Sequence, residues 1–126
     1  MKMNLKLIVL NDQDMPFMGK GGRELLQSIE RLGSINKAAK EMGLSYAKAL
    51  KIIKKIETNL HGQVLKRQIG GKEHGGAELT PLAIELLDIY IAYEQELTAF
   101  AQERFRAVDE RLRTLVEKST SAENAR

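Results

Sequence analysis

Four lysines, Lys48, Lys51, Lys54 and Lys55, crowd a segment that opens with Ser45, Tyr46 and Ala47 and includes Leu50. Ammonium groups at this density neutralise phosphates and release counterions. Hydroxyls can donate hydrogen bonds, and small or apolar side chains can meet thymine methyls. A second cationic group, Lys66, Arg67 and Lys72, surrounds the run Gly70 to Gly76, which lacks bulky residues and can approach a sugar-phosphate backbone. Both groups suit a polyanion, and a lysine-rich helix side also occurs as an ordinary solvated face.

Little in the rest of the chain competes with that chemistry. His61 and His74 are the only imidazoles and sit in different loops, and there is no cysteine, so no metal site is expected. The GGKEHGG run lacks the lysine-serine ending and the strand and helix that a phosphate-binding loop requires. Glu94, Glu96 and Glu103 read as a solvated helix face, and no nucleophile is paired with a base. The chain reads as a non-enzyme without a cofactor.

The charge is divided along the chain. Residues 1 to 76 carry 14 Lys or Arg against 7 Asp or Glu, and residues 77 to 126 carry 6 against 10. A basic part joined to an acidic one suggests that the first meets a polyanion and the second meets protein or solvent. The absence of cysteine suits a reducing compartment, and the cytoplasm is the expected location. The N-terminus alternates polar and apolar residues and is not a signal peptide. No apolar run approaches the roughly 20 residues that cross a bilayer, so a soluble protein without membrane contact is expected.

The elements that must hold the lysines follow from periodicity. Met3, Leu5, Leu7 and Val9 alternate with polar residues and predict one half-buried strand over residues 2 to 10, stopped by the Asn11 to Asp14 turn and Pro16. Leu25, Leu26, Ile29 and Leu32 predict a first helix from Arg23 to Leu32, with Gly33 just beyond. Ser34 can cap a second helix through Ala38, Ala39 and Met42 that Gly43 stops. Ser45 can cap a third, with Ala49, Ile53, Ile56 and Leu60 on its buried stripe. Opposite that stripe lie Ala47, Leu50, Lys51 and Lys54, flanked by Tyr46, Lys48 and Lys55, a face able to enter a major groove. Val64 to Ile69 and Ala77 to Thr80 predict a hairpin whose tip is the glycine loop. Thr80 and Pro81 start a long helix that should run to about Lys118. Its seam, Leu86, Tyr90, Tyr93, Leu97 and Phe100, then Phe105, Val108 and Leu112 in a shifted phase, calls for another helix. The polar tail from Ser119 is expected to be disordered.

Two short helices joined through Gly43 and followed by a hairpin form the pattern of a winged helix-turn-helix. The runs GSINKAAKEMGLSY, Gly33 to Tyr46, and GGKEHGGAELT, Gly70 to Thr80, resemble the N-terminal DNA-binding domain of ModE-type molybdate-responsive regulators. The helix-turn-helix also resembles that of LysR-type regulators. The resemblance covers nearly the whole chain. It implies a mainly α, α+β fold: a winged helix-turn-helix with a β-hairpin wing and a long C-terminal dimerisation helix. It also implies a homodimer that reads a palindromic operator in double-stranded DNA with a recognition helix starting at Ser45. The family's nearly all-glycine wing tip is interrupted here by Glu73 and His74. Full-length ModE regulators continue into a molybdate-binding domain for which this chain has no room, so molybdate sensing is not carried over.

The expected organisation is residues 1–80 as the DNA-binding domain, 81–118 as the dimerisation helix and 119–126 as tail. The expected DNA-contact residues are Ser34, Ser45, Tyr46, Ala47, Leu50, Lys51, Lys54, Lys55, Arg67 and Lys72. Two other readings stay open at this stage: a winged-helix protein-interaction module without DNA binding, and an architectural protein that binds any duplex. The chain also fits either a stand-alone regulator or the DNA-binding part of a longer product.

Overall fold

The computed structural model describes residues 1–68 and 76–124. The expected contacts at Lys72 and the wing tip lie outside them. In chain order the elements are β1 (Val9–Leu10), β2 (Pro16–Met18), α1 (Lys20–Leu32), α2 (Ile35–Glu41), α3 (Tyr46–Leu60), β3 (Leu65–Gln68), β4 (Gly76–Leu79) and α4 (Pro81–Asn124). They fall into two compact units, one spanning Lys6–Ala92 and the other joining Met1–Leu5 to the chain from Tyr93 onward.

The predicted strand over residues 2 to 10 is a correction: only Val9 and Leu10 form β1. A strand lasts only as far as a neighbour takes up its backbone groups. The neighbour is β2, three residues long, which pairs Val9 with Met18 and Leu10 with Pro16. Pro16 lacks an N–H and reads as a stop, but proline is tolerated as the first residue of an edge strand. α1 begins at Lys20, three residues before the predicted Arg23, and runs through Gly21 and Gly22. Gly22 is there because the helices pass closely. A Cβ on it would lie 3.0 Å from the Met18 sulfur and 3.5 Å from Ile56 Cδ1 of α3.

The next two helices are capped as their sequences predict. Ser34 Oγ accepts a hydrogen bond from the Lys37 N–H at 3.2 Å, and Ser45 Oγ accepts one from the Lys48 N–H at 3.1 Å. Between them the chain turns at Gly43, whose φ of 68° lies in the left-handed region, and the Leu44 N–H returns to the Ala39 carbonyl at 2.8 Å. Ala38, Ala39 and Ala49 are buried at the crossing, where a larger side chain would hold the backbones apart. The core of this unit is continuous, from Leu25, Leu26 and Ile29 through Ile53 and Ile56 to Val64, Leu79 and Leu87.

β3 and β4 pair antiparallel, with Leu65 opposite Leu79 and Arg67 opposite Ala77. The Ala77 N–H donates to the Gly33 carbonyl at 2.9 Å, which ties the hairpin to the α1–α2 junction. The Thr80 hydroxyl donates to the Gln63 carbonyl at 2.7 Å and closes the hairpin base. The same hydroxyl oxygen accepts from the Ala83 N–H at 3.3 Å at the start of α4. Three helices, a tight glycine turn and a two-stranded hairpin make up a winged helix-turn-helix, the architecture expected from the sequence.

α4 corrects the expected tail. The apolar pattern ends at Val116, but the helix passes Lys118 and continues to Asn124, because no glycine or proline breaks it. Within the second unit the Asp109 carboxylate accepts from the Met1 amine at 3.0 Å and from Arg113 Nε at 3.2 Å. Those bonds, the one from the amine foremost, hold the Asp109 carboxyl below its ordinary range. No described helix is long and apolar enough to cross a membrane.

Candidate nucleic-acid interface

The outer face of α3 carries the expected residues. Tyr46, Ala47, Lys48, Lys51, Lys54 and Lys55 are all exposed, while Ala49, Ile53 and Ile56 on the opposite side are buried. Leu50 is half-buried and packs against the core, so it presents only one side outward. Ser34 and Ser45 spend their oxygens on caps, which leaves each hydroxyl hydrogen for an outside acceptor.

Beside this face runs a cleft of about 420 Å³ lined by Leu50, Ile53, Lys54, Glu57, Gln63, Leu65, Lys66 and Arg67. Lys54 from α3 and Lys66 and Arg67 from β3 bring three cations to one groove. Glu57 is the single carboxylate among them. Its Oε2 accepts from the Val64 N–H at 3.0 Å, so it braces the link between α3 and β3. Sequence reasoning placed Arg67 on the wing but missed Glu57, because a carboxylate in a lysine-rich helix gives no sign that it answers a backbone N–H seven residues on. Among the described residues, no group of three or more His, Cys, Asp or Glu could hold a metal ion.

The expected helix seam is partly corrected. Tyr90 is only 3% exposed, and its hydroxyl donates to the Leu7 carbonyl at 2.7 Å, so it belongs to the chain's own core. Leu86 is half-buried against the same core. Tyr93, Phe100, Val108 and Leu112 are exposed, and Leu97 and Phe105 are half-buried. Ile89, at 62% exposed, extends the apolar stripe toward the start of α4 and was not among the expected residues.

Residues 23–83 match the bacterial regulatory helix-turn-helix protein family of the lysR type. The chain carries a LysR-type helix-turn-helix domain. The match starts within α1 and ends at the first turn of α4, so it takes in α2, α3 and the hairpin. The chain is also similar to the molybdenum transport protein ModE of Herbaspirillum seropedicae, 39% identical over 66 residues, 52% of this chain and 24% of that protein. To the transcriptional regulator ModE of Haemophilus influenzae it is 34% identical over 89 residues, 71% of this chain and 35% of that protein. The ModE resemblance is therefore borne out, over 52% and 71% of the chain rather than nearly the whole of it. The chain spans about a quarter to a third of the length of these relatives. Among solved structures, the crystal structure of the CbnR_DBD–DNA complex superposes with a TM-score of 0.55 at 23% identity, covering 72% of this chain and 98% of that one. That likeness concerns the fold.

Proposed function

We propose that the protein is a transcription regulator that binds double-stranded DNA sequence-specifically as a homodimer. The observation that carries this reading is the exposed cationic face of α3 beside a groove that adds Lys66 and Arg67, on a LysR-type helix-turn-helix. Like charges kept on one side repel one another, and a polyanion laid against that side offsets the repulsion. α3 enters the major groove. Lys51, Lys54 and Lys55 hold phosphates or base edges, Tyr46, Ala47 and Leu50 contribute base-edge discrimination, and the hydroxyls of Ser34 and Ser45 donate to the backbone. Arg67, with Lys72 beyond it, anchors the wing on the flanking backbone.

Residues 1–80 serve as the DNA-binding domain and the helix from 81 onward as the dimerisation element. Two copies joined through α4 read an inverted repeat, because operator symmetry follows protein symmetry. The protein works in the cytoplasm, without a cofactor and without catalysis, as the regulators it resembles suggest. The test is selection from a pool of random duplexes at two salt concentrations, with the mass of the complex determined. An enriched inverted repeat bound by two chains is the expected result. Retention of all duplexes alike means architectural binding, and no retention at low salt means a protein-interaction module; either result overturns the reading.

A further inference from the structure

The first hairpin supplies none of the proposed DNA contacts, yet its turn ends on the recognition helix. Asn11 opens that turn, and its Oδ1 accepts from the Gln13 and Met15 N–H groups at 2.9 and 3.1 Å. The remaining half of the amide points outward from the turn, and Nδ2 donates to Asn59 Oδ1 at 2.9 Å. Asn59 passes the link on, its own Nδ2 donating to the Lys55 carbonyl at 2.7 Å in the last turns of α3. Two residues ahead of β1, the Tyr90 hydroxyl donates to the Leu7 carbonyl. Residues 7 to 11 therefore run from the base of α4 to the C-terminal end of α3, anchored at both ends by side chains.

We propose that Asn11 and Asn59 are positioning residues for the recognition helix, fixing its angle so that side chains on its outer face meet base edges in register. The inference rests on the DNA-binding reading. The packing of Ala38 and Ala39 with Ala49 secures α3 near its N-terminus, and the amide chain secures its far end. Hydrogen bonds to base edges weaken steeply with misalignment, whereas attraction between an ammonium and a phosphate declines slowly with distance. A helix released at one end consequently loses base discrimination before it loses phosphate anchoring.

The experiment compares wild type, Asn59→Ala and Asn11→Asp on the inverted repeat that the wild type selects and on a scrambled duplex of equal length. Asn59→Ala removes both links. Asn11→Asp keeps the acceptors that the turn uses but turns an oxygen toward Asn59 Oδ1. Circular dichroism checks that each variant is folded at the assay temperature. The expected result is a fall of about three- to tenfold in the ratio of the two affinities for both variants, the scale of one lost hydrogen bond. The salt slope on the scrambled duplex should stay unchanged, because no phosphate contact is removed. An unchanged ratio in both variants overturns the positioning role, even if their thermal midpoints drop. A wild type that selects no repeat instead overturns the DNA reading itself, and this inference with it.

Discussion

Lys54 stands at the meeting of the two cationic groups, on the outer face of α3 and in the groove with Lys66 and Arg67. If it neutralises a phosphate, Lys54→Ala weakens binding to every duplex and lowers the slope of log affinity against log salt by about 1. A variant with unchanged slope shows that Lys54 faces solvent in the complex. His61 is a residue whose contribution runs against stability. It ends α3 with φ at 53°, a region that costs a residue bearing Cβ roughly 1–2 kcal/mol. Glycine escapes that cost but loses about 0.5–1 kcal/mol more to chain entropy. The balance favours glycine, so His61→Gly should raise the thermal midpoint by a few degrees, as read by calorimetry, with DNA affinity unchanged. Gly43 presents the converse case. Nothing lies within 4 Å of a Cβ added there, but φ is 68°, so Gly43→Ala should destabilise through backbone strain alone.

The elements differ in how openly their sequences announce them. α2 and α3 were legible because each announces itself with a capping serine and an apolar stripe, with Gly43 closing the first, and the caps at Ser34 and Ser45 are formed as read. Ser45→Ala should therefore cost about 1 kcal/mol of stability and loosen the first turn of α3, where Tyr46 and Ala47 sit. A chemical denaturation curve unmoved by the change would mean that solvent replaces the cap at no cost. The wing strands were legible from β-branched and apolar residues on either side of the glycine run. β2 was not, because a three-residue strand that starts with proline is stabilised by pairing that no local propensity reveals. The amide link from Asn11 to Asn59 escaped for a related reason. Two asparagines 48 positions apart read separately as a turn residue and a helix-end residue until the fold places them 2.9 Å apart. Tyr90 was misread because an apolar heptad position can serve a partner or the chain's own core, and periodicity does not distinguish them.

For the molecule as a whole, the division of charge now has a physical counterpart. The basic first part holds the lysine face and the wing cations, and the acidic second part is mostly α4, whose surface keeps large apolar residues in the open. Tyr93 and Phe100 are 51% and 60% exposed, and Leu115 and Val116 further along are also more than half exposed. Scattered surface hydrophobics need no explanation, but a stripe at heptad-like spacing along one long helix does, and in the proposed homodimer a second copy of α4 would cover it. Phe100→Glu separates assembly from folding. The ring is exposed and the Arg104 guanidinium lies 5.2 Å from its centroid, so its loss should cost the single chain about 1 kcal/mol at most. In a paired seam, two glutamates would instead be forced into apolar surroundings. The expected outcome is a mass that falls to that of one chain by light scattering, with helicity retained. Affinity for the inverted repeat should drop about a hundredfold or more, while a duplex holding one half-site is bound as before, because only the gain from linking two sites is lost. Should the variant remain a dimer with full affinity, Phe100 lies off the interface, and the exposed residues nearer the end of α4, Leu115 and Val116, become the place to look for it.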